Sequence, residues 1–309
     1  MLLKPIEDDE IKAHLETLPE DGRDIFLLAD GQVRLTALSA TTMINRMRAN
    51  HRTGLLETYV LGQGYIAGGL LASTVKGNDR IQLSIECGGP IKGLSIEAWA
   101  SGAVRGFLVN NPIPLTKPLE SLDTSLLYGP GFLTVTKLLE GSRTPFSGQI
   151  MLQHGNLAND LAQYFQESEQ TPTLFYLSIK FDRSGRVWGA GGLFLQALPG
   201  CEDSTLESLQ DASQFLGGLG EELSRGITTE SYVRREFSAF SPVFLSHEEA
   251  YFDCQCSRDS FEHYLKGLPA SEKEAIMNGE FPLVLECLNC SSDYYFDKPY
   301  LEKLFQEER

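Results

Sequence analysis

The sequence predicts an α+β fold: an N-terminal mixed core of β-sheets and packed helices over 1–200, a helical linker over 201–250, and a small C-terminal zinc-binding unit over 251–309. Three observations predict it. Strand-like and helix-like segments arrive in blocks rather than in strict alternation, which fits α+β better than a doubly wound parallel sheet. The apolar positions thin out after Pro199-Gly200. Four of the six cysteines, Cys254, Cys256, Cys287 and Cys290, gather near the end of the chain.

Taken in order, DIFLLADGQVRL reads as a strand or extended segment leading into a helix, and Val33 to His51 is helical in period. LLETYVLGQGYIAGGLLASTVKG reads as a second helix, whose small residues let another element lie close against it. Three strands follow, RIQLSIE, GLSIEAWA and AVRGFLVN, the last two joined by a short turn at Ser101-Gly102. GFLTVTKLL and FSGQIML alternate as strands do. NLANDLAQYFQESEQ is an amphipathic helix opened by Asn156, a residue suited to the N-cap. TLFYLSIKF and RVWGAGGLFLQAL form a further hairpin around Asp182-Arg183-Ser184-Gly185.

From Cys201 to about Ala250 the apolar residues are sparse. Leu206, Leu209, Phe215 and Leu216 mark one helical segment and Tyr232, Val233 and Phe237 another, with Gly217, Gly218 and Gly220 interrupting between them. Helices with so little apolar face are marginal alone. This stretch is therefore expected to be a linker whose structure is conditional. There is no internal repeat and no low-complexity run.

The 309 residues are 42% apolar and 22% charged, as in ordinary globular proteins. With 26 basic against 42 acidic residues the formal net charge is −16, and no Lys/Arg run stands out. Such a chain is repelled by phosphate backbones and anionic bilayers, so neither nucleic acid nor membrane is an expected partner. The start, MLLKPIEDDE, lacks the basic and apolar regions of a secretory signal. No apolar run approaches the ~20 residues that span a bilayer. The expected location is cytoplasmic, where thiols stay reduced, and this favours metal or regulated redox chemistry over permanent disulfides.

The cysteines form a C-x-C pair and, thirty residues later, a C-x-x-C pair. Structural zinc takes four thiolate or imidazole ligands in a tetrahedron, and two short-range pairs across a longer loop supply that set from one chain. A unit of about 60 residues has too small a core to hold itself firmly. Zinc at a site absent from the unfolded chain adds folding free energy, on the order of 10 kcal/mol. Iron–sulfur ligation and stable disulfides use the same residues and stay open at this point. The C-x-C half departs from ordinary zinc ribbons, which use C-x-x-C on both sides. Its two thiolates are near enough to close on each other. Oxidation within each pair would remove all four ligands and the brace with them.

Other patterns carry less. GQGYIAGG, from Gly62 to Gly69, falls inside a helical stretch rather than between strand and helix, so helix packing is its reading. HEEAY at His247 has no second histidine at Tyr251. His51, His154 and His263 are isolated and read as surface or satisfied structural residues, and Cys87 and Cys201 as packing residues. Nothing assembles a catalytic centre.

CQCSRDSF, the thirty-residue spacer, and CLNC followed by Tyr294 and Phe296 resemble the redox-switch domain of the 33 kDa chaperonin (heat shock protein 33) family. STVKGNDRIQLSIECGGPIKGLSIEAWASGAVRGFL is similar to that family's strand region, YFQESEQTPT to its helix-end motif, and AGGLFLQALPG to the segment that closes its core. The resemblance implies an ATP-independent holdase rather than an enzyme. It implies one zinc ion on Cys254, Cys256, Cys287 and Cys290 in the reduced, inactive protein. Under oxidative stress it implies disulfides Cys254–Cys256 and Cys287–Cys290, zinc release, and unfolding of the C-terminal segment and linker. Unfolded client proteins then bind newly exposed apolar surface, commonly on a homodimer. The linker offers little motif to align, and Cys87 and Cys201 lie outside the switch pattern.

Two other readings use the same cysteines. A zinc-ribbon interaction module would contact nucleic acid or a protein complex, and the charge speaks against nucleic acid. A thiol–disulfide oxidoreductase wants its C-x-x-C at a helix start beside a βαβ unit, which the surroundings of Cys287 do not offer.

Overall fold

The computed structural model describes residues 1–115, 123–142 and 144–306. Helix α1 (Asp9–Leu15) precedes the hairpin of β1 (Gly22–Leu28) and β2 (Val33–Ser39), then α2 (Thr41–His51) and α3 (Leu55–Leu71). Next come β3 (Arg80–Cys87), β4 (Gly93–Trp99), β5 (Ala103–Leu108), α4 (Ser125–Tyr128), β6 (Gly131–Leu138) and β7 (Phe146–Met151). Helix α5 (Leu157–Ser168) leads to β8 (Thr173–Phe181) and β9 (Val187–Ala197). Three short helices follow, α6 (Asp203–Ser213), α7 (Leu219–Ser224) and α8 (Thr229–Glu236), and then β10 (Val243–Glu249) and β11 (Tyr251–Phe252). The chain ends with α9 (Arg258–Lys266), α10 (Ala270–Met277), β12 (Leu283–Glu286), β13 (Asp293–Phe296) and α11 (Lys298–Gln306).

Antiparallel pairing dominates, as the α+β reading requires. One sheet is ordered β10-β1-β2-β9-β8, a second β11-β5-β4-β3-β6-β7, and β12-β13 is a separate hairpin. Among the described residues only β11 on β5 is parallel. The helix α3 lies between the two sheets, packing on β4 and β5 on one side and on β8 and β9 on the other. Its glycines make that approach possible: a Cβ on Gly68 would stand 2.7 Å from Cγ2 of Ile96. In the second sheet Ile81, Leu83, Ile85, Leu94 and Ile96 turn toward this helix layer, and the intervening Ser and Glu positions face out. Asn156 caps α5 as expected, accepting from the Asn159 amide.

One expected helix is corrected. Val33 to His51 is not a single helix, because Val33–Ser39 is β2, paired with β1 and β9. Val33, Leu35 and Ala37 pack to one side of the sheet while Leu38 packs to the other. The alternation of Val33, Leu35 and Ala37 is short, and Leu35 and Leu38 lead into Met43, Ile44 and Met47 of α2 at spacings that also fit a helix.

The 201–250 segment also packs better than its composition implies. Leu209, Leu219, Leu223, Tyr232, Val233 and Phe237 are buried against Phe26, Leu28, Val33, Leu35, Leu193 and Leu195 on the outer face of the first sheet. Phe215 lies beyond the end of α6 and is 83% exposed. Gly220, read as an interruption, is a contact point instead. Its amide donates to Ser178 Oγ at 3.0 Å, and a Cβ on Gly189 opposite would fall 2.0 Å from its carbonyl oxygen. Asp24, on β1, fastens two elements of this segment: it accepts from Thr229 Oγ1 at 2.5 Å and pairs with His247 Nδ1 at 2.7 Å.

Candidate metal centre

Backbone pairing delivers the first two cysteines. The Tyr251 amide donates to the Gly102 carbonyl at 3.0 Å and the Asp253 amide to that of Val104 at 3.2 Å. This parallel run along β5 sets Cys254 against the core, where it is buried. Two residues on, Cys256 is half-buried, and Ser257 then caps α9 by accepting from the Ser260 amide. The other pair stands at the tip of the β12–β13 hairpin, whose register sets Glu286 opposite Asp293. That tip closes on itself: the Cys290 and Ser291 amides donate to the Cys287 carbonyl at 3.2 and 2.7 Å. The Gly106 amide of β5 donates to the Asn289 carbonyl at 3.2 Å, so this one strand receives both halves of the site.

All four sulfurs lie within 4.8 Å of one another. Cys254 and Cys287 are 3.8 Å apart, and Cys256 and Cys290 3.4 Å. A tetrahedron with metal–sulfur bonds of ~2.3 Å has edges of about 3.8 Å, so the spacing fits a single ion. All six cysteines are free thiols. An all-sulfur set suits a soft or borderline ion, zinc or iron among them.

The clustered sulfurs hydrogen-bond one another, and this drives their proton affinities apart. Hydrogen bonds from Cys287 and Cys290, with the Cys256 backbone and Arg105 adding, hold the Cys254 thiol far below its ordinary range. Those same bonds to Cys254 push Cys287 up to about 12 and Cys290 up as well, with burial adding to both. A thiolate on Cys254 is thus favoured, while Cys287 and Cys290 keep their protons. A dication replaces those protons, which is how such a site takes up metal.

The surroundings come from distant parts of the chain. Arg105 Nη1 on β5 lies 3.3 Å from Cys254 Sγ. Tyr294 donates its hydroxyl to the Cys256 carbonyl at 3.1 Å and packs on Phe261. Buried Asn50, at the end of α2, donates to the carbonyls of Cys290 at 2.8 Å and Leu2 at 3.1 Å, and accepts from the Lys4 amide. The Leu2 amide donates to Ser292 Oγ at 3.0 Å, and the Met1 nitrogen to the Cys256 carbonyl at 2.9 Å. His51 Nδ1 lies 3.0 Å from Ser291 Oγ. Burial presses this imidazole down to about 4, against the opposing pull of the Asn289 backbone and the charges of Glu286 and Cys254.

The structure therefore brings Cys254, Cys256, Cys287 and Cys290 together, while Cys87 and Cys201 stand outside the group. His154 and His263 are exposed, and GQGYIAGG lies within α3. His51, read as isolated, borders the metal loop. Arg105, Asn50 and residues 1–4 carry no local sequence pattern that marks them, since each is separated from its partner cysteine by more than a hundred positions.

Comparison with known proteins gives a consistent result. The family described as Hsp33 protein matches residues 21–297. A 33 kDa chaperonin of Desulforamulus reducens is 31% identical over 279 residues, covering 90% of this chain and 95% of that one. Another, from Geobacter sulfurreducens, is 31% identical over 276 residues, covering 89% and 91%. The crystal structure of the 33 kDa chaperonin (heat shock protein 33 homolog) of Thermotoga maritima superposes with a TM-score of 0.83 at 27% identity, covering 93% of this chain and 98% of that one.

Proposed function

The chain belongs to the Hsp33 protein family, and from that premise we propose that it is a redox-regulated, ATP-independent holdase of the cytoplasm. In the reduced protein Cys254, Cys256, Cys287 and Cys290 hold one zinc ion, which braces the small C-terminal unit of 251–309. Peroxide joins Cys254 to Cys256 and Cys287 to Cys290. Each closure passes two electrons to one peroxide, which takes up two protons and leaves as two waters. The four sulfurs then no longer ligate, and zinc departs as the free dication.

The observation that carries this reading is the continuity between cover and brace. The segment that shields Phe26, Leu28, Leu35 and Leu195 runs directly through β10 and β11 into Cys254. Once Cys254 leaves β5, the linker of 201–250 loses the fixed end that orders it. The sheet face beneath is an apolar surface on which unfolded clients dock, and on which two oxidised copies pair as a homodimer. The charge of −16 keeps loaded complexes soluble and disfavours nucleic acid. The chain works by binding rather than by catalysis. The sulfur distances do not select the pairing, since the short ones here run between the pairs, so peptide mapping of the oxidised protein decides it. The functional test is peroxide with mild heat in the absence of ATP. It should release zinc and suppress aggregation of an unfolding client; zinc loss with aggregation unchanged refutes the reading.

A further inference from the structure

Arg105 belongs to the N-terminal core, yet its guanidinium reaches a sulfur of the metal centre. We propose that Arg105 is a positioning residue through which the core reads the charge on Cys254, holding the C-terminal unit docked while that sulfur is a thiolate and releasing it when the sulfur becomes a disulfide. This rests on the redox reading above.

The side chain is fixed in advance. Its Nε and Nη2 are both committed to Glu97 Oε2, the former at 2.7 Å, and its guanidinium carbon lies 5.1 Å from the centre of the Trp99 ring. Only 17% of the side chain is exposed, so Nη1 is aimed at Cys254 rather than free to follow solvent. A thiolate, bare or metal-bound, accepts a charge-assisted hydrogen bond, whereas a disulfide sulfur is neutral and a weak acceptor. Oxidation of Cys254 with Cys256 transfers two electrons to a peroxide, and that charge disappears from the sulfur. The loss falls in the middle of the docking strand, because the neighbours Val104 and Gly106 bond Asp253 and Asn289. Glu97 stays on Arg105 after release, so undocking leaves no bare buried cation.

The test compares Arg105→Lys, which keeps the charge, with Arg105→Gln, which keeps a donor without it. Amide exchange of the segments holding Asp253 and Gly106 is followed in the full-length zinc-loaded chain, before and after peroxide. In the parent, oxidation should speed exchange by at least about tenfold. Reduced Arg105→Gln should already exchange about tenfold faster than the reduced parent, with little further gain on oxidation, and Arg105→Lys should stay near the parent. Equal behaviour of Lys and Gln, or a Gln variant as protected as the parent, overturns the proposal. If peroxide leaves zinc in the parent, the redox reading falls and the charge-reading role falls with it. The reduced-state Lys and Gln comparison would then report docking alone. Near-ultraviolet dichroism confirms that each variant is folded.

Discussion

At the scale of single residues, Cys290 carries both a proposed ligand sulfur and a docking contact. Its carbonyl accepts from buried Asn50, and its sulfur sits 3.1 Å from Ser292 Oγ. Cys290→Ser preserves size and removes the ionisable sulfur. Zinc affinity, measured by competition with a chromophoric chelator, should fall by more than ~100-fold; an unchanged affinity would remove Cys290 from the ligand set. His51 makes a different prediction. Docked, it titrates at about 4 because burial penalises its charge, whereas an exposed imidazole titrates near ~6.5. Between those values the undocked chain takes up a proton that the docked chain refuses. The docked state is fully stable above the upper value and loses stability as pH falls through the window. His51→Gln should flatten the fall of the thermal midpoint between those pH values, while thiolate protonation acts on both proteins alike. Parallel pH profiles would show that His51 stays neutral on undocking. The four cysteines were legible because their spacing is local. Asn50, His51 and Arg105 were not, because only the fold carries them to the metal loop.

Among the elements, the linker helices were seen by their apolar residues and misjudged by their glycines. Tyr232, Val233 and Phe237 stand out in the sequence as an apolar group, whereas Leu219 and Leu223 in α7 are obscured there by the glycines around them. Gly220, facing Gly189 on the strand, lets α7 lie directly on β9. Strand β2 resembles a helix in sequence because its short alternation runs without a break into the apolar positions of α2. Leu223→Ala should cost about 2–4 kcal/mol of linker docking. Limited proteolysis of the reduced, zinc-loaded protein should then cut within 201–242 at least about tenfold faster, and client binding should begin without peroxide. A cleavage rate equal to the parent's would show that α7 does not hold the cover. The N-terminal strap supports a second expectation. Removing residues 1–4 deletes the bonds to Ser292, Asn50 and Cys256, so zinc should pass to excess chelator several-fold faster under reducing conditions. Equal rates would leave the strap without a hold on the centre.

Across the whole molecule, the two sheets and α3 form one continuous apolar core that reaches Cys254, Cys287 and Cys290. The small unit beyond has only a modest core of its own, centred on Leu265, Tyr294, Phe296, Leu301 and Leu304. That imbalance fits a molecule in which one part stays folded while another depends on metal. The block order of strands and helices made the α+β class legible in the sequence. What composition concealed was how the linker is seated, because its contacts are with strands far earlier in the chain. The central claim is that metal loss and chaperone action are one event. The direct measurement follows zinc, free thiols and client aggregation together after peroxide and mild heat. One zinc released and four thiols lost per chain, in step with suppressed aggregation, is the predicted result. Suppression with zinc and all four thiols still in place, or complete zinc and thiol loss with aggregation unaffected, would contradict it.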